Sequence, residues 1–322
     1  MVTADRFLVT GFSGFVCKHF LDYLESEKNP VHVVGIDLQE PSFNIKDFKY
    51  VKCDFQKVNL LNKTEVEKVV GQFKPNYVLH LASYSSVALS WKKPVESFTN
   101  NTNIFLNLIE TIHSLNLNAR ILSIGSSEEY GNVNAADLPL NENHELKPIS
   151  PYAVARVSQE MLSKVYADSY GLDIIMTRSF NHIGTHQKDI FVIPSFAKQL
   201  INLQKMPSEI KELTTGDTSI IRDFVDVRDV VKAYYLLLKK GRKGEVYNIC
   251  SGKGISLNEV IQIMASDLNM SIIQKIDPQL VRPNDNKIII GSNEKIKKET
   301  GWSNTISIQQ SLKDILEFCK QQ

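Results

Sequence analysis

The sequence has no block of like charge: 37 Lys+Arg stand against 36 Asp+Glu, a net charge of +1 spread over 322 residues. That balance excludes the basic stripe a nucleic-acid or anionic-membrane binder needs. Cysteine is scarce, and Cys17, Cys53, Cys250 and Cys319 show no paired spacing for a metal site or a redox dithiol. Reduced thiols and no metal are the expectation. No run approaches the roughly 18 apolar residues of a membrane span. The first dozen residues reach a glycine turn without the charged-then-apolar pattern of a secretion signal, so a cytoplasmic protein is expected. Internal repeats and low-complexity tracts are missing as well.

What is present is alternation. Short β-rich runs at Arg6–Thr10, Val31–Ile36, Tyr50–Lys52, Tyr77–Leu81, Arg120–Gly125 and Asp173–Arg178 are separated by segments of helical period. Val16, Phe20 and Leu24 give one helix an apolar stripe; Lys63–Phe73 and Ile104–Leu115 read likewise. Ser150 followed by Pro151 opens a further helix to about Ala167. The pattern predicts an α/β fold, a Rossmann doubly wound parallel sheet, with a smaller C-terminal α/β domain. The division falls at 1–178 and 179–322, with 225–250 returning to the main sheet.

Gly11-Phe-Ser-Gly14-Phe-Val-Cys17 follows a strand and opens an amphipathic helix, the context that a dinucleotide fingerprint requires. The glycines permit a tight turn and close approach of a pyrophosphate to free helix N–H groups. An ordinary βα turn is the plain alternative, and Cys17 stands where a third small residue is expected. Asp37 ends the second strand, where a carboxylate accepts hydrogen bonds from an adenosine ribose and repels a 2′-phosphate; this favours NAD over NADP. Asp54, read as following the third strand, is a candidate for the adenine edge.

Tyr152 and Arg156 are four apart and share a helix face, where a fixed cation favours phenolate. A tyrosine so placed can exchange a proton with a hydroxyl or carbonyl while a nicotinamide exchanges hydride. Ser126 ends the strand before this helix. Tyr and Arg at this spacing also meet by chance in many helices.

Taken in order, Gly11-x-x-Gly14, Asp37, Asp54, His80-Leu-Ala82, Ser126-Ser-Glu-Glu-Tyr-Gly131, Tyr152-x-x-x-Arg156, Arg178-Ser-Phe-Asn181-His and Arg222-Asp-Phe-Val-Asp-Val-Arg-Asp229 resemble the extended short-chain dehydrogenase/reductases that modify nucleotide sugars. The likeness spans essentially the whole chain. Within that family it is most similar to the reductases of GDP-4-keto-6-deoxy-mannose, through Ser179-Phe-Asn-His-Ile-Gly184, Phe196-Ala-Lys-Gln199, Tyr247-Asn-Ile-Cys-Ser-Gly252 and Leu280-Val-Arg-Pro283.

The resemblance implies Tyr152 as acid/base, Ser126 as hydrogen-bond partner of the sugar's C4 oxygen, and Arg156 where the family has lysine. Arg is longer, planar and practically never deprotonates, so a proton relay through it is lost while ribose binding can survive. Further cofactor contacts implied are Ser13, Phe15, Val16, Leu38, Phe55, Leu81, Ala82, Ser83, Asn101, Phe180 and His182. On the substrate side the resemblance implies Ser86, Ser127, Glu128, Asn181, Val192, Lys198, Arg222, Arg282 and Asp285. The family's 4,6-dehydratases carry an Asp-Glu pair just after the catalytic Ser/Thr; here Ser127 and Glu128 stand there, and elimination loses its proton donor.

A GDP-linked sugar is the implied substrate, NAD the cofactor, a homodimer or homotetramer the assembly, with the apolar stripe of Ile104–Leu115 and the Tyr152 helix as its pairing helices by analogy with the family, and surface-polysaccharide sugar synthesis the setting. Oxidation and reduction at C4 both remain open. A 4-epimerase that keeps its NAD, and a non-catalytic NAD-binding protein, are the alternatives.

Overall fold

The computed structural model describes residues 4–207, 210–281 and 286–322, so Arg282 and Asp285 lie outside the described residues. The chain begins β1 (Asp5–Thr10), α1 (Phe15–Ser26), β2 (Val31–Asp37), β3 (Val51–Lys57), α2 (Lys63–Phe73) and β4 (Tyr77–His80). Two short helices, α3 (Val87–Lys92) and α4 (Pro94–Phe98), pass through a wide turn at Thr99–Asn103 into α5 (Ile104–Ser114). Then come β5 (Arg120–Ser126), α6 (Pro151–Ser169) and β6 (Asp173–Ser179). The start of α6 is fixed locally: Ser150 Oγ accepts the Ala153 N–H at 3.1 Å, and Pro151 fills the first helical position, where no N–H is needed.

Beyond β6 lie β7 (Asn181–Ile183), α7 (Val192–Lys205), β8 (Glu212–Thr215), β9 (Ile221–Asp226), α8 (Val227–Lys240) and β10 (Val246–Ile249). The chain closes with β11 (Gly254–Ser256), α9 (Leu257–Asp267), β12 (Ile273–Ile276), β13 (Ile288–Ile289), α10 (Glu294–Thr300) and α11 (Ile308–Lys320).

Seven strands form one parallel sheet in the order β10-β6-β5-β4-β1-β2-β3. Its central strands are covered on both faces, which is why β1 reads Phe7-Leu-Val9 without polar alternation. Phe7 and Val9 pack with Phe20 and Leu24 of α1 and Val230, Tyr234 and Leu237 of α8. Leu8 packs on the other side with Val66 and Val70 of α2 and Phe105, Leu108 and Ile112 of α5. The strand order reverses between β1 and β4, and at such a switch point the carboxyl ends of the strands open a crevice. A smaller layer sits over that end: β11, β9, β13 and β7 form one sheet, β8 pairs with β12, and α7, α9 and α11 share a separate apolar core.

Two expectations change. The third strand runs to Lys57 rather than stopping at Lys52, because β3 is an edge strand and its outward Lys52, Asp54 and Gln56 are exposed. The apolar stripe of Ile104–Leu115 offers no docking face, since Ile104, Phe105, Leu108, Ile109 and Ile112 are buried inside the molecule.

Candidate active site

The turn after β1 is built around Gly11, whose φ of +68° suits glycine alone; a Cβ there would lie 2.6 Å from the Ala82 backbone N and 2.8 Å from the Leu81 carbonyl carbon. Gly14 is the exposed N-cap of α1, without a side-chain cap and without an acid in the first turn. The helix therefore presents N–H groups and its positive end to an anion, the arrangement a pyrophosphate fits. Gly11→Ala forces a non-glycine residue into the left-handed region, about 1–3 kcal/mol of strain, and drives it into the Leu81–Ala82 backbone just after β4. We expect dinucleotide affinity, read by fluorescence titration, to fall roughly tenfold or more; unchanged affinity would show the turn to be mere linkage.

Asp37 ties this turn to the end of β2. Its Oδ2 accepts the Ser13 N–H at 2.9 Å and its Oδ1 the Leu38 N–H at 2.6 Å, while Ser13 Oγ donates to the Gln39 carbonyl. Phe15, at the first helical position, stacks on the His182 ring with centroids 5.7 Å apart. Burial pushes His182 down to about 4, so the imidazole stays neutral at physiological pH. Val16 backs onto the α1 core, and Cys17 is fully buried in it, filling the third small position of the fingerprint.

The facing wall is the segment after β4. Leu81 donates to the Thr10 carbonyl at 3.1 Å and Ala82 to Thr10 Oγ1 at 3.1 Å, with Thr10 Oγ1 in turn 2.8 Å from His80 Nδ1. Buried Asn101 accepts the Tyr84 N–H at 2.9 Å and donates to the Ser97 carbonyl at 2.8 Å, which holds the Ser83–Ser86 stretch; Ser86 caps α3 through the Leu89 N–H. Burial, then the positive charge of Arg156, push His80 down to about 3.

Ser126 stands at the carboxyl end of β5 and Tyr152 in the first turn of α6, and these two elements pack together. Arg156 Nε donates to Tyr152 Oη at 3.2 Å, and the guanidinium lies 5.2 Å from the Tyr152 ring centroid. Nη1 of Arg156 donates to the Ile124 carbonyl at 3.0 Å and to Gln159 Oε1 at 2.7 Å. Gln159 is anchored by Ser123 Oγ at 2.8 Å, and Ser163 donates to the same hydroxyl at 3.2 Å. The long side chain is thus accommodated by a buried polar cradle, which fixes its charge beside the phenol oxygen.

On the remaining wall Ser127 is buried, Glu128 is half-buried, Asn181 lies on β7, and Val192 opens α7. Lys198 is exposed and paired with Asp189. Buried Arg222 donates through Nη1 to the Ile221 and Asn286 carbonyls at 3.0 and 2.7 Å, bracing the segment that enters β13.

Three expected contacts are placed otherwise. Asp54 sits within β3, where its carboxylate binds His32 Nε2 at 2.6 Å near the amino end of β2, away from the strand ends that form the crevice. Phe55, half-buried, packs on Phe12 at the edge of the core, centroids 5.9 Å apart. Phe180 is buried in a small cluster with Tyr130, Leu140, Cys250 and Ile289. Sequence reasoning missed Gln159, three residues past Arg156 on the same helix, and Glu129, whose Ser-x-x-Glu spacing from Ser126 is a capping-box signature.

The family model described as GDP-mannose 4,6 dehydratase matches residues 8–315. GDP-6-deoxy-D-mannose reductase of Pseudomonas aeruginosa is 33% identical over 314 residues, covering 97% of this chain and 96% of that protein. Among solved structures, RMD of Pseudomonas aeruginosa complexed with NADPH superposes with a TM-score of 0.85 at 30% identity, covering 99% of this chain and all of that one. UDP-glucose 4-epimerase of Thermotoga maritima, solved with UDP-glucose, gives 0.87 at 27% identity, covering 98% and 99% of the two chains.

Proposed function

Because the chain belongs to the GDP-mannose 4,6 dehydratase family, we propose that it is an oxidoreductase acting at C4 of a GDP-linked, manno-configured sugar, reducing a 4-keto-6-deoxy sugar with a nicotinamide cofactor. One residue carries the choice of reduction over dehydration. Elimination of water across C5 and C6 needs a proton donor for the departing hydroxyl, and the buried residue next to Ser126 is Ser127, which is no acid.

The chain's own groups divide the work. The Gly11–Val16 turn and the amino end of α1 would hold the pyrophosphate, Asp37 the adenosine ribose, and Phe15 with His182 the nicotinamide half. When bound there, the dinucleotide would supply hydride to the sugar carbon. Tyr152 Oη delivers the proton to the C4 oxygen, Ser126 hydrogen-bonds that oxygen, and Arg156 holds a fixed positive charge next to the atom that gives up the proton. Asp37 favours NADH by repelling a 2′-phosphate.

The test is consumption of reduced nicotinamide with GDP-4-keto-6-deoxy-mannose, NADH and NADPH compared, and the C4 configuration of the product read by NMR. Turnover with the higher kcat/KM for NADH is expected. No consumption with either cofactor sinks the reading; interconversion of C4 isomers without net cofactor change favours a 4-epimerase instead. A role in surface-polysaccharide synthesis and a cytoplasmic location go with this reading.

The same reading includes a dimer. On α6, Val154, Ser158, Met161 and Val165 repeat at i, i+4, i+7 and i+11 on the exposed face, opposite the buried Tyr152, Arg156 and Gln159. Beside them Trp91, Val95 and Phe98 of α3 and α4 border a groove of about 650 Å³ floored by Ile149 and Pro151. Val95 is 77% exposed. A second copy of the chain, related by a two-fold axis, covers this self-complementary stripe. Sedimentation is expected to give a dimer for the wild type and a monomer for Val95→Glu with Met161→Glu; a monomeric wild type removes the dimer.

A further inference from the structure

Directly beneath Ser126 lies a carboxyl group that the chemistry above does not use. Glu129 is fully buried, and its Oε1 accepts the Ser126 N–H at 2.6 Å while Ser126 Oγ accepts the Glu128 N–H at 3.2 Å. The side chain presses on the strand so closely that a Cβ on residue 125 would meet Glu129 Oε1 and the Thr177 carbonyl, each at 2.4 Å, which is why Gly125 stands there.

The other oxygen of Glu129 is the telling one. Oε2 is buried with no donor among the described residues, yet the carboxylate of Glu160, on α6, lies within hydrogen-bonding reach of the Glu129 carboxyl. Two carboxylates are acceptors only, so the contact is satisfied when one carries a proton. The nearby cations decide which. Arg178 of β6 grips Glu160 with two hydrogen bonds of 2.9 Å, and Lys164 adds a third at 2.9 Å. Glu129 receives no such partner. The remaining polar and charged neighbours are Tyr130, whose ring the Arg178 guanidinium covers at 4.9 Å, and Glu142, whose carbonyl accepts from Arg178 Nη1 at 3.0 Å.

We propose that Glu129 is a positioning residue for Ser126: as the protonated member of a one-proton pair with Glu160, it accepts the serine N–H and sets the serine hydroxyl against the reacting oxygen. Burial, then the Glu160 charge, push Glu129 well above the usual carboxylate range. Burial alone would raise Glu160 too, but its hydrogen bonds to Arg178 and Lys164 outweigh that and hold it below the usual carboxylate range. As pH rises the pair loses its proton, the two anions repel, and the turn carrying Ser126 shifts.

The inference rests on the role of Ser126 in the proposed function, and its test separates the two. Glu129→Gln keeps an acceptor for Ser126 and an N–H donor for Glu160 but cannot ionise. It should keep kcat at neutral pH within roughly threefold of wild type and move the wild-type alkaline fall in kcat to higher pH. Glu129→Leu should lower kcat roughly tenfold, about 1.4 kcal/mol, with KM little changed, because no substrate-binding group is removed. A Glu129→Leu enzyme with wild-type kcat, or a Glu129→Gln enzyme whose alkaline fall is unmoved, overturns the proposal. Should Glu129→Leu fail to fold, the Glu129→Gln profile decides alone. An independent reading comes from infrared spectroscopy: a protonated-carboxyl carbonyl band at neutral pH in the wild type, missing in Glu129→Gln, is expected whether or not the right sugar has been found. Its absence in the wild type overturns the pair.

Discussion

Tyr152→Phe should lower kcat by roughly 10²–10⁴-fold, the share that a positioned acid/base group supplies, while leaving KM for the sugar nucleotide within a fewfold. The reason lies in what the substitution spares. Phe keeps the ring that packs against the Arg156 guanidinium, and Arg156 itself stays fixed by the Ile124 carbonyl and Gln159. The cofactor-binding turn is untouched. Only the hydroxyl proposed to give its proton to the C4 oxygen disappears. Stopped-flow measurement of hydride transfer at saturating sugar checks the result, with cofactor titration showing that binding survives. A variant that keeps a tenth or more of wild-type turnover would show that another donor serves the oxygen. Unaltered biological function with a dead enzyme would instead favour the non-catalytic alternative.

Arg178→Met should cost about 3–5 kcal/mol of stability, the penalty for stranding a buried charge by removing its partner. Arg178 and Glu160 are each 3% exposed as side chains, and their two-point contact is the centre of the charged cluster under Ser126. Without the guanidinium, Glu160 faces Glu129 with only Lys164, itself 39% exposed, to compensate. The pH dependence has a definite sign. In the wild type Glu160 is held low, so its contribution is present above the usual carboxylate range and lost as pH falls through its folded value. In the variant burial raises Glu160 above its unfolded value, so the folded state binds the extra proton and the deficit shrinks as pH falls toward 5. Chemical denaturation of wild type and variant across that range measures it. The double variant with Glu160→Gln should recover much of the loss, since no lone charge then remains; a pair of additive losses would argue that the two side chains act separately.

How much of this was legible beforehand differs by residue, and the reasons are physical. The β1 turn was readable because Gly11, Gly14 and the apolar stripe of α1 are all local, within sixteen residues of one another. Tyr152 and Arg156 were readable because one helical turn sets their spacing. Strand β3 was cut short because an edge strand keeps polar residues on its open face, and Lys52, Asp54 and Gln56 look like a loop. Phe180 was misplaced because the chain turns between β6 and β7, and nothing local says that this ring leaves the crevice for the Tyr130 cluster. The Glu129, Glu160 and Arg178 cluster was out of reach for another reason. Each is an ordinary charged residue alone, and only strand order brings the end of β5, the middle of α6 and β6 together. The misassigned dimer stripe has the same origin: α5 and α6 both carry apolar stripes, and topology buries one while leaving the outer face of the other open.

The placement of β10 beside β6 carries a consequence for synthesis on the ribosome. The first six strands of the sheet are complete once residue 179 has emerged, but their outermost neighbour is Val246–Ile249, delivered after the whole of 180–245 has been translated. Until then β6, a run of Ile174, Ile175 and Met176, presents an unpaired backbone edge, the kind of surface on which nascent chains associate with one another. A stop codon or a stalled ribosome anywhere before residue 246 leaves that edge permanently open. Fragments ending at residue 178 should therefore be poor soluble products, even though they contain nearly every residue proposed to hold the dinucleotide.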